Sequence, residues 1–275
     1  MHRICCLGAL VLPLLLAAGA ALAAPAATEP ATPAENDTTA GTIQAESQAY
    51  ATLDGQPVRG YIARPNRGPG PYPAVIVIHE WWGLNDHIRA LTRRLAEAGY
   101  IALAVDLYEG RTATDPKQAR TLMEAAMAHP ERLARNLEQA FYYLDVMPSA
   151  QRIGVIGWCF GGGWALRTAL RFPDDLDAAV IYYGELVTDP QRLAPLHVPI
   201  LGHFGTDDTS IPASRVQAFD QALTDLDKPH EIYMYEGAGH AFANPSGARY
   251  RPAVAALAWR RTLEFLGRHL QHGAP

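Results

Sequence analysis

The stretch RIGVIGWCFGGG, residues 152–163, decides how this chain of 275 residues is read. An apolar run of the kind buried inside a sheet ends at Ile156, and the glycine-bracketed turn Gly157-Trp158-Cys159-Phe160-Gly161 follows at once. This is the G-x-nucleophile-x-G spacing of a sharp strand-to-helix turn that lifts one side chain out of the fold. The glycines answer to crowding, because side chains at those positions would collide with the strand and helix being joined. Residues from Gly161 to Arg171 read as the helix. Glycine-rich loops also hold phosphates at helix N-termini. This one has neither the G-x-G-x-x-G order nor a lysine as in G-K-[ST], so phosphate binding is the weaker reading.

Outward from the turn, strands and helices alternate. AVIVI (74–78) is a continuous apolar run suited to a strand buried on both faces, and the helical stretch NDHIRALTRRLAEAG closes at Gly99. YIALAV (100–105) leads to helical stretches opening near Pro116 and Pro130. AAVIYY (178–183), PILGHF (199–204) and EIYMY (231–235) are further strand candidates. A helix opens at Pro212, and an amphipathic stretch runs from about Pro252 to His269. Near the start of this region AYATL and VRGYIARP flank Asp54-Gly55 as two paired strands would. The pattern predicts an α/β fold with a mostly parallel central sheet and helices on both faces.

The first residues carry a different signal. Met1-His2-Arg3, an apolar stretch from Ile4 to Ala20 and Ala21-Leu22-Ala23 have the form of a secretory signal peptide, predicting cleavage after Ala23 and a secreted or periplasmic protein. Cys5 and Cys6 lie at the start of the apolar run, which argues against lipidation. Residues 24–45, rich in Ala, Pro and Thr without apolar periodicity, read as a disordered linker, and residues 46–275 as one folded domain. Cleavage would leave Cys159 as the sole cysteine, an unpaired thiol in an exported protein: either a buried hydrophobe or a group kept for chemistry. The net charge of −5 becomes −6 once Arg3 is removed. No basic stripe suggests nucleic acid, and no apolar segment after the leader is long enough for stable membrane insertion. The oligomeric state is not encoded in any legible pattern.

A displayed cysteine needs a base, and in folds with this turn an acid and then a histidine follow in chain order. Asp207 and Asp208 come just after PILGHF, and His240 just after EIYMY, both at strand C-terminal ends where such sheets assemble their sites. Glu80 follows directly from a buried strand in HEWWG, where an acid is costly unless it pairs or works. Pairing with an arginine such as Arg111 is the plain alternative. His79 and His203 read as structural histidines. There is no H-x-x-x-H or H-E-x-x-H, so neither a metal nor another cofactor is called for.

These residues, with IHEWWGLN, AVDLY, GWCFGGG, the run Asp208 to Pro212 and GAGHAF, resemble the dienelactone hydrolase family of α/β-hydrolases from about Tyr61 to Leu266. The resemblance implies that Cys159 is the nucleophile, His240 the base and Asp208 its orienting acid, preferred over Asp207 by its spacing to Pro212. It implies that Glu80 contacts the resting thiol and takes its proton when substrate binds. Backbone N–H groups of Phe160 and Trp81 would form the oxyanion hole, with Trp82 lining the pocket. Where dienelactone-cleaving members carry an arginine four residues after the histidine, this chain has Asn244. Arg111 stands three residues after Asp-Leu-Tyr rather than two. One substrate-carboxylate clamp is therefore lost and the other displaced. The implied function is hydrolysis of a small-molecule ester or lactone through a thioester acyl-enzyme. A general carboxylesterase or thioesterase, and a non-catalytic exported binding protein, are the alternatives.

Overall fold

The computed structural model describes residues 42–271, so the expected leader and most of the expected linker lie outside the described residues. Within them runs one eight-stranded sheet. The elements are β1 (Ile43–Leu53), β2 (Gln56–Pro65), β3 (Tyr72–Ile78), α1 (Asp86–Glu97), β4 (Ile101–Val105), α2 (Pro116–Met127), α3 (Pro130–Asp145), β5 (Ala150–Trp158), α4 (Phe160–Arg171), β6 (Ala178–Tyr182), α5 (Pro190–Leu193), β7 (Ile200–Gly205), α6 (Ala213–Asp225), β8 (His230–Tyr235) and α7 (Pro252–Leu266). The chain then closes with a π turn over Gly267–Gln271.

The strands lie in the order β1-β2-β4-β3-β5-β6-β7-β8. The β1–β2 and β2–β4 pairs are antiparallel and the rest parallel, as the alternating pattern predicts. Residues 43–45, expected in the linker, are instead the first three of β1. Ile43 pairs with Pro65 at the far end of the hairpin, and its side chain is buried. Pairing to β2 supplies order that composition does not reveal.

Both faces of the sheet are covered, which is why the central strands are apolar without alternation. On β3, Val75 and Val77 pack toward a cluster with Ile88, Leu91 and Leu95 of α1 and Phe265 of α7. Ala74, Ile76 and Ile78 face the opposite cluster, with Leu137 of α3, Trp164 of α4 and Phe219 of α6. Each aliphatic side chain of this kind contributes about 1.5–3 kcal/mol by leaving water. The helices begin where the sequence punctuates them. Asn85 caps α1 by accepting from the Ile88 N–H, Asp115 caps α2, and proline opens α2, α3 and α7. The parallel strands all deliver their C-terminal ends to one edge, and there the site lies.

Candidate active site

The turn after β5 has the predicted geometry. Cys159 sits at φ 54° and ψ −116°, a left-handed conformation that non-glycine residues rarely adopt. Such backbone costs on the order of 1–3 kcal/mol and persists because its surroundings fix it. Here the Cys159 N–H donates to the Tyr182 carbonyl at 3.0 Å, and its own carbonyl accepts from the Gly163 N–H at 3.2 Å. A Cβ on Gly157 would stand 2.0 Å from the Gly161 carbonyl oxygen, and one on Gly161 would stand 2.3 Å from that of Ile78. The two glycines thus let α4 start directly against β5 and the end of β3, bringing Cys159 beside the segment that carries Glu80.

Asp208 and His240 complete a line with the sulfur. The Nδ1–H of His240 donates to Asp208 Oδ2 at 2.8 Å, while Nε2 lies 3.0 Å from Cys159 Sγ. Asp208 is buried, and its other oxygen accepts from the N–H groups of Ser210 and Ile211 at 2.8 and 3.0 Å. Burial works to raise the Asp208 carboxyl, but the bonds from His240 and these two amides outweigh it and hold it below its usual value. An ionised Asp208 can only accept, which fixes the proton of a neutral His240 on Nδ1. Burial alone would push His240 down, yet its bonds to Asp208 and Cys159, with the charge of a Cys159 thiolate, carry it up to about 10, so a proton handed over by the thiol is held on the ring. A thiol, an imidazole and a carboxylate in this order can pass a proton from sulfur to nitrogen and hold the resulting cation. Asp207 is exposed and its carboxylate accepts from the Thr206 hydroxyl, so the spacing to Pro212 picks the acid that reaches the histidine.

Glu80 departs from expectation. It is 2 % exposed, and burial pushes its carboxyl up to about 7 against the opposing pull of Asn244, His240 and Tyr183. Its oxygens accept from the Asn244 side-chain amide and from the Tyr183 hydroxyl, the latter at 3.5 Å, while the sulfur is bonded to His240. The resemblance placed Glu80 on the resting thiol; here two other donors occupy it. Asn244, expected to face substrate, is 5 % exposed and committed to Glu80. Arg111 is the other expected substrate contact. It is exposed, its Nε–H donates to the Tyr108 carbonyl at 3.0 Å, and it lines a cleft of about 1020 Å³ between the β1–β2 hairpin and α2–α3. None of Cys159, Asp208, His240 or Glu80 lines that cleft, so its volume does not mark the chemistry.

Among the described residues, neither the Phe160 nor the Trp81 backbone N–H has a hydrogen-bond partner, leaving both free to donate. Trp82 packs edge-on to Trp81, ring centres 5.1 Å apart, and its carbonyl accepts from the Ala113 N–H. His79 is structural, as expected. The Leu107 N–H donates to its Nε2, so Nδ1 carries the proton and donates to the Glu80 carbonyl at 2.6 Å. Burial keeps it neutral by lowering its pKa. His203 is likewise a core residue between Tyr235 and Thr262, with burial holding it down to about 3.

Two residues escaped the sequence reading. Tyr183 touches both Glu80 and, with ring centres 5.2 Å apart, His240. Tyr108 is buried beside His79 and Phe160, and its hydroxyl has no partner. Both sit in or just after apolar strand runs, and an apolar run carries no signal for a hydroxyl. Among the described residues no cluster of His, Cys, Asp and Glu is arranged to hold a metal.

Comparison with known proteins gives the family. A Salmonella typhimurium protein provisionally named carboxymethylenebutenolidase is 35 % identical over 266 residues, covering 90 % of this chain and 95 % of its own. A Bradyrhizobium protein provisionally named 2-oxo-3-(5-oxofuran-2-ylidene)propanoate lactonase is 33 % identical over 79 % of this chain and 92 % of its own. A crystal structure from Klebsiella pneumoniae, provisionally titled dienelactone hydrolase, superposes with a TM-score of 0.74 at 31 % identity, covering 83 % of this chain and all of that one. The model of the "Dienelactone hydrolase family" matches residues 58–270, and with the α/β-hydrolase sheet and the line from Cys159 to Asp208 at its edge, the chain belongs to that family of hydrolases.

Proposed function

We propose that this hydrolase uses Cys159 as its nucleophile and cleaves small neutral or weakly polar esters and lactones through a thioester acyl-enzyme. The observation that carries the reading is the 3.0 Å contact between Cys159 Sγ and His240 Nε2, backed by Asp208 on Nδ1. In the acylation step Nε2 takes the thiol proton as sulfur attacks the substrate carbonyl carbon. The carbonyl oxygen gains the negative charge and is met by the N–H groups of Phe160 and Trp81. Collapse expels the alcohol oxygen, which receives the proton held on His240. Water then attacks the thioester, His240 removes its proton, and the sulfur leaves to recover it. Asp208 keeps the imidazole oriented and stabilises its cation in both halves.

The neutral amide of Asn244, standing where dienelactone-cleaving members carry an arginine, supports a preference for substrates without a free carboxylate. That amide donates to Glu80 and brings no charge with which to grip an anion beside the sulfur. Turnover of matched ester pairs differing only by a carboxylate tests this, and a preference for the anionic member would overturn it. Mass spectrometry after exposure to a slowly hydrolysed activated ester tests the nucleophile. Stoichiometric acylation at Cys159 supports the reading, and label elsewhere sinks it. Export is part of the same proposal: the leader pattern supports cleavage after Ala23 into a periplasmic or extracellular compartment. Intact mass of the mature protein should begin at Ala24, and retention of Met1 would refute it.

A further inference from the structure

A buried carboxylate with no arginine or lysine beside it is costly unless hydrogen-bond donors take up its lone pairs. Glu80 draws two such donors from distant parts of the chain. The Asn244 amide bonds to Oε2 and the Tyr183 hydroxyl to Oε1. Each donor is itself fixed. Asn244 Oδ1 accepts from the Ser246 N–H at 2.9 Å, so flipping the amide would break both of its bonds at once. Tyr183 is fully buried at φ 37°, its N–H donating to the His203 carbonyl at 2.8 Å and its ring lying against Phe242 and His240. Meanwhile the sulfur of Cys159 is bonded to His240.

We propose that Asn244 and Tyr183 are positioning residues that hold the Glu80 carboxylate on donors other than the Cys159 thiol, so that the thiol rests on His240 and reacts without prior release of a glutamate. The inference rests on the reading of Cys159 as nucleophile. Its physical core is competition for one proton donor. A carboxylate freed of either tether has the S–H group as its natural replacement, and every thiol bonded to Glu80 is withdrawn from His240. A neutral amide suits the tethering task because it directs the carboxylate without adding a cation that would compete with the imidazolium for it. On this account residue 244 also acts on the rate of thiol attack.

The test uses the full chain and the rate at which iodoacetamide alkylates Cys159, read beside ester turnover, in wild type, Asn244→Ala, Tyr183→Phe, Glu80→Gln and the doubles Asn244→Ala/Glu80→Gln and Tyr183→Phe/Glu80→Gln. With Glu80 present, Asn244→Ala should slow alkylation and acylation by about tenfold, and Tyr183→Phe should do so by a smaller factor. With Gln at position 80 the carboxylate is gone, and each second substitution should change the rate by less than about twofold. Equal losses in both backgrounds would mean that these side chains merely support the fold, and no loss with Glu80 present would mean there is no tether. Either result overturns the proposal, and the Tyr183 cycle stands by itself should Asn244→Ala fold poorly. If wild-type alkylation at Cys159 leaves turnover intact, it is the nucleophile reading that fails, before any variant is compared.

Discussion

Replacing Glu80 by Gln removes a charge while keeping the shape, and its effect on stability should depend on pH with a definite sign. The amide oxygen still accepts from Asn244, and its NH2 group can donate to the Tyr183 oxygen. In the unfolded chain a glutamate titrates near its ordinary 4.5, whereas in the fold burial lifts Glu80 to about 7. Between those values the native protein holds a proton that the unfolded chain has released. Stability from this group is therefore intact below 4.5, falls as pH rises through 7, and is fully lost above that. The difference between the two values corresponds to about 3 kcal/mol. Glu80→Gln should then be more stable than wild type by about that much at pH 8.5, or on the order of 6–12 °C in melting temperature for a domain of this size. At pH 5 the gain should shrink below about 1 kcal/mol, because the native glutamate is protonated there. Urea unfolding followed by circular dichroism at the two pH values measures this directly. A difference between variant and wild type that is the same at both would refute the claim that burial raises the Glu80 carboxyl in the fold.

The remaining predictions are simpler. Cys159→Ala and His240→Ala should each lower kcat/KM by several orders of magnitude in an ester assay with the fold retained. Asp208→Asn should cost at least about a hundredfold and Asp207→Asn less than about threefold, since only the first touches His240; the reverse order would misplace the acid. Tyr108→Phe should raise the melting temperature by a few degrees, because it deletes a buried hydroxyl that has no partner. Gly161→Ala should fail to give soluble protein or lose several kcal/mol, as its methyl would overlap the Ile78 and His79 carbonyls.

Much of this molecule was legible because the sheet is covered on both faces. Strands such as β3 and β4 must then be apolar throughout, and helices such as α1 and α2 must announce themselves with Asn85 and Asp115 at their starts. The line from Cys159 to Asp208 was legible for a related reason: each member follows a recognisable strand end by a fixed few residues. The environment of Glu80 was not. Asn244 is 164 positions away, and that a buried amide will meet a particular carboxylate is settled by packing of the loop after β8 rather than by any local pattern. The start of β1 was hidden because Ile43 gains its order from pairing with β2 and from burial, neither of which a local pattern records.

The conformation at Cys159 bears on how such a scaffold can change trade. What holds the turn in place is main chain against main chain: the Cys159 N–H on the Tyr182 carbonyl, and the bare Cα atoms of Gly157 and Gly161 nested against carbonyl oxygens. Nothing in that framework consults the atom at the tip of residue 159. Sulfur and oxygen would hang from the same fixed Cβ and differ only in bond length, so a codon change could exchange thiol for alcohol without refolding anything. The partners at positions 80, 183 and 244 would then have to be retuned for the new group. Lineages built on this turn should accordingly show an invariant backbone beneath a negotiable element.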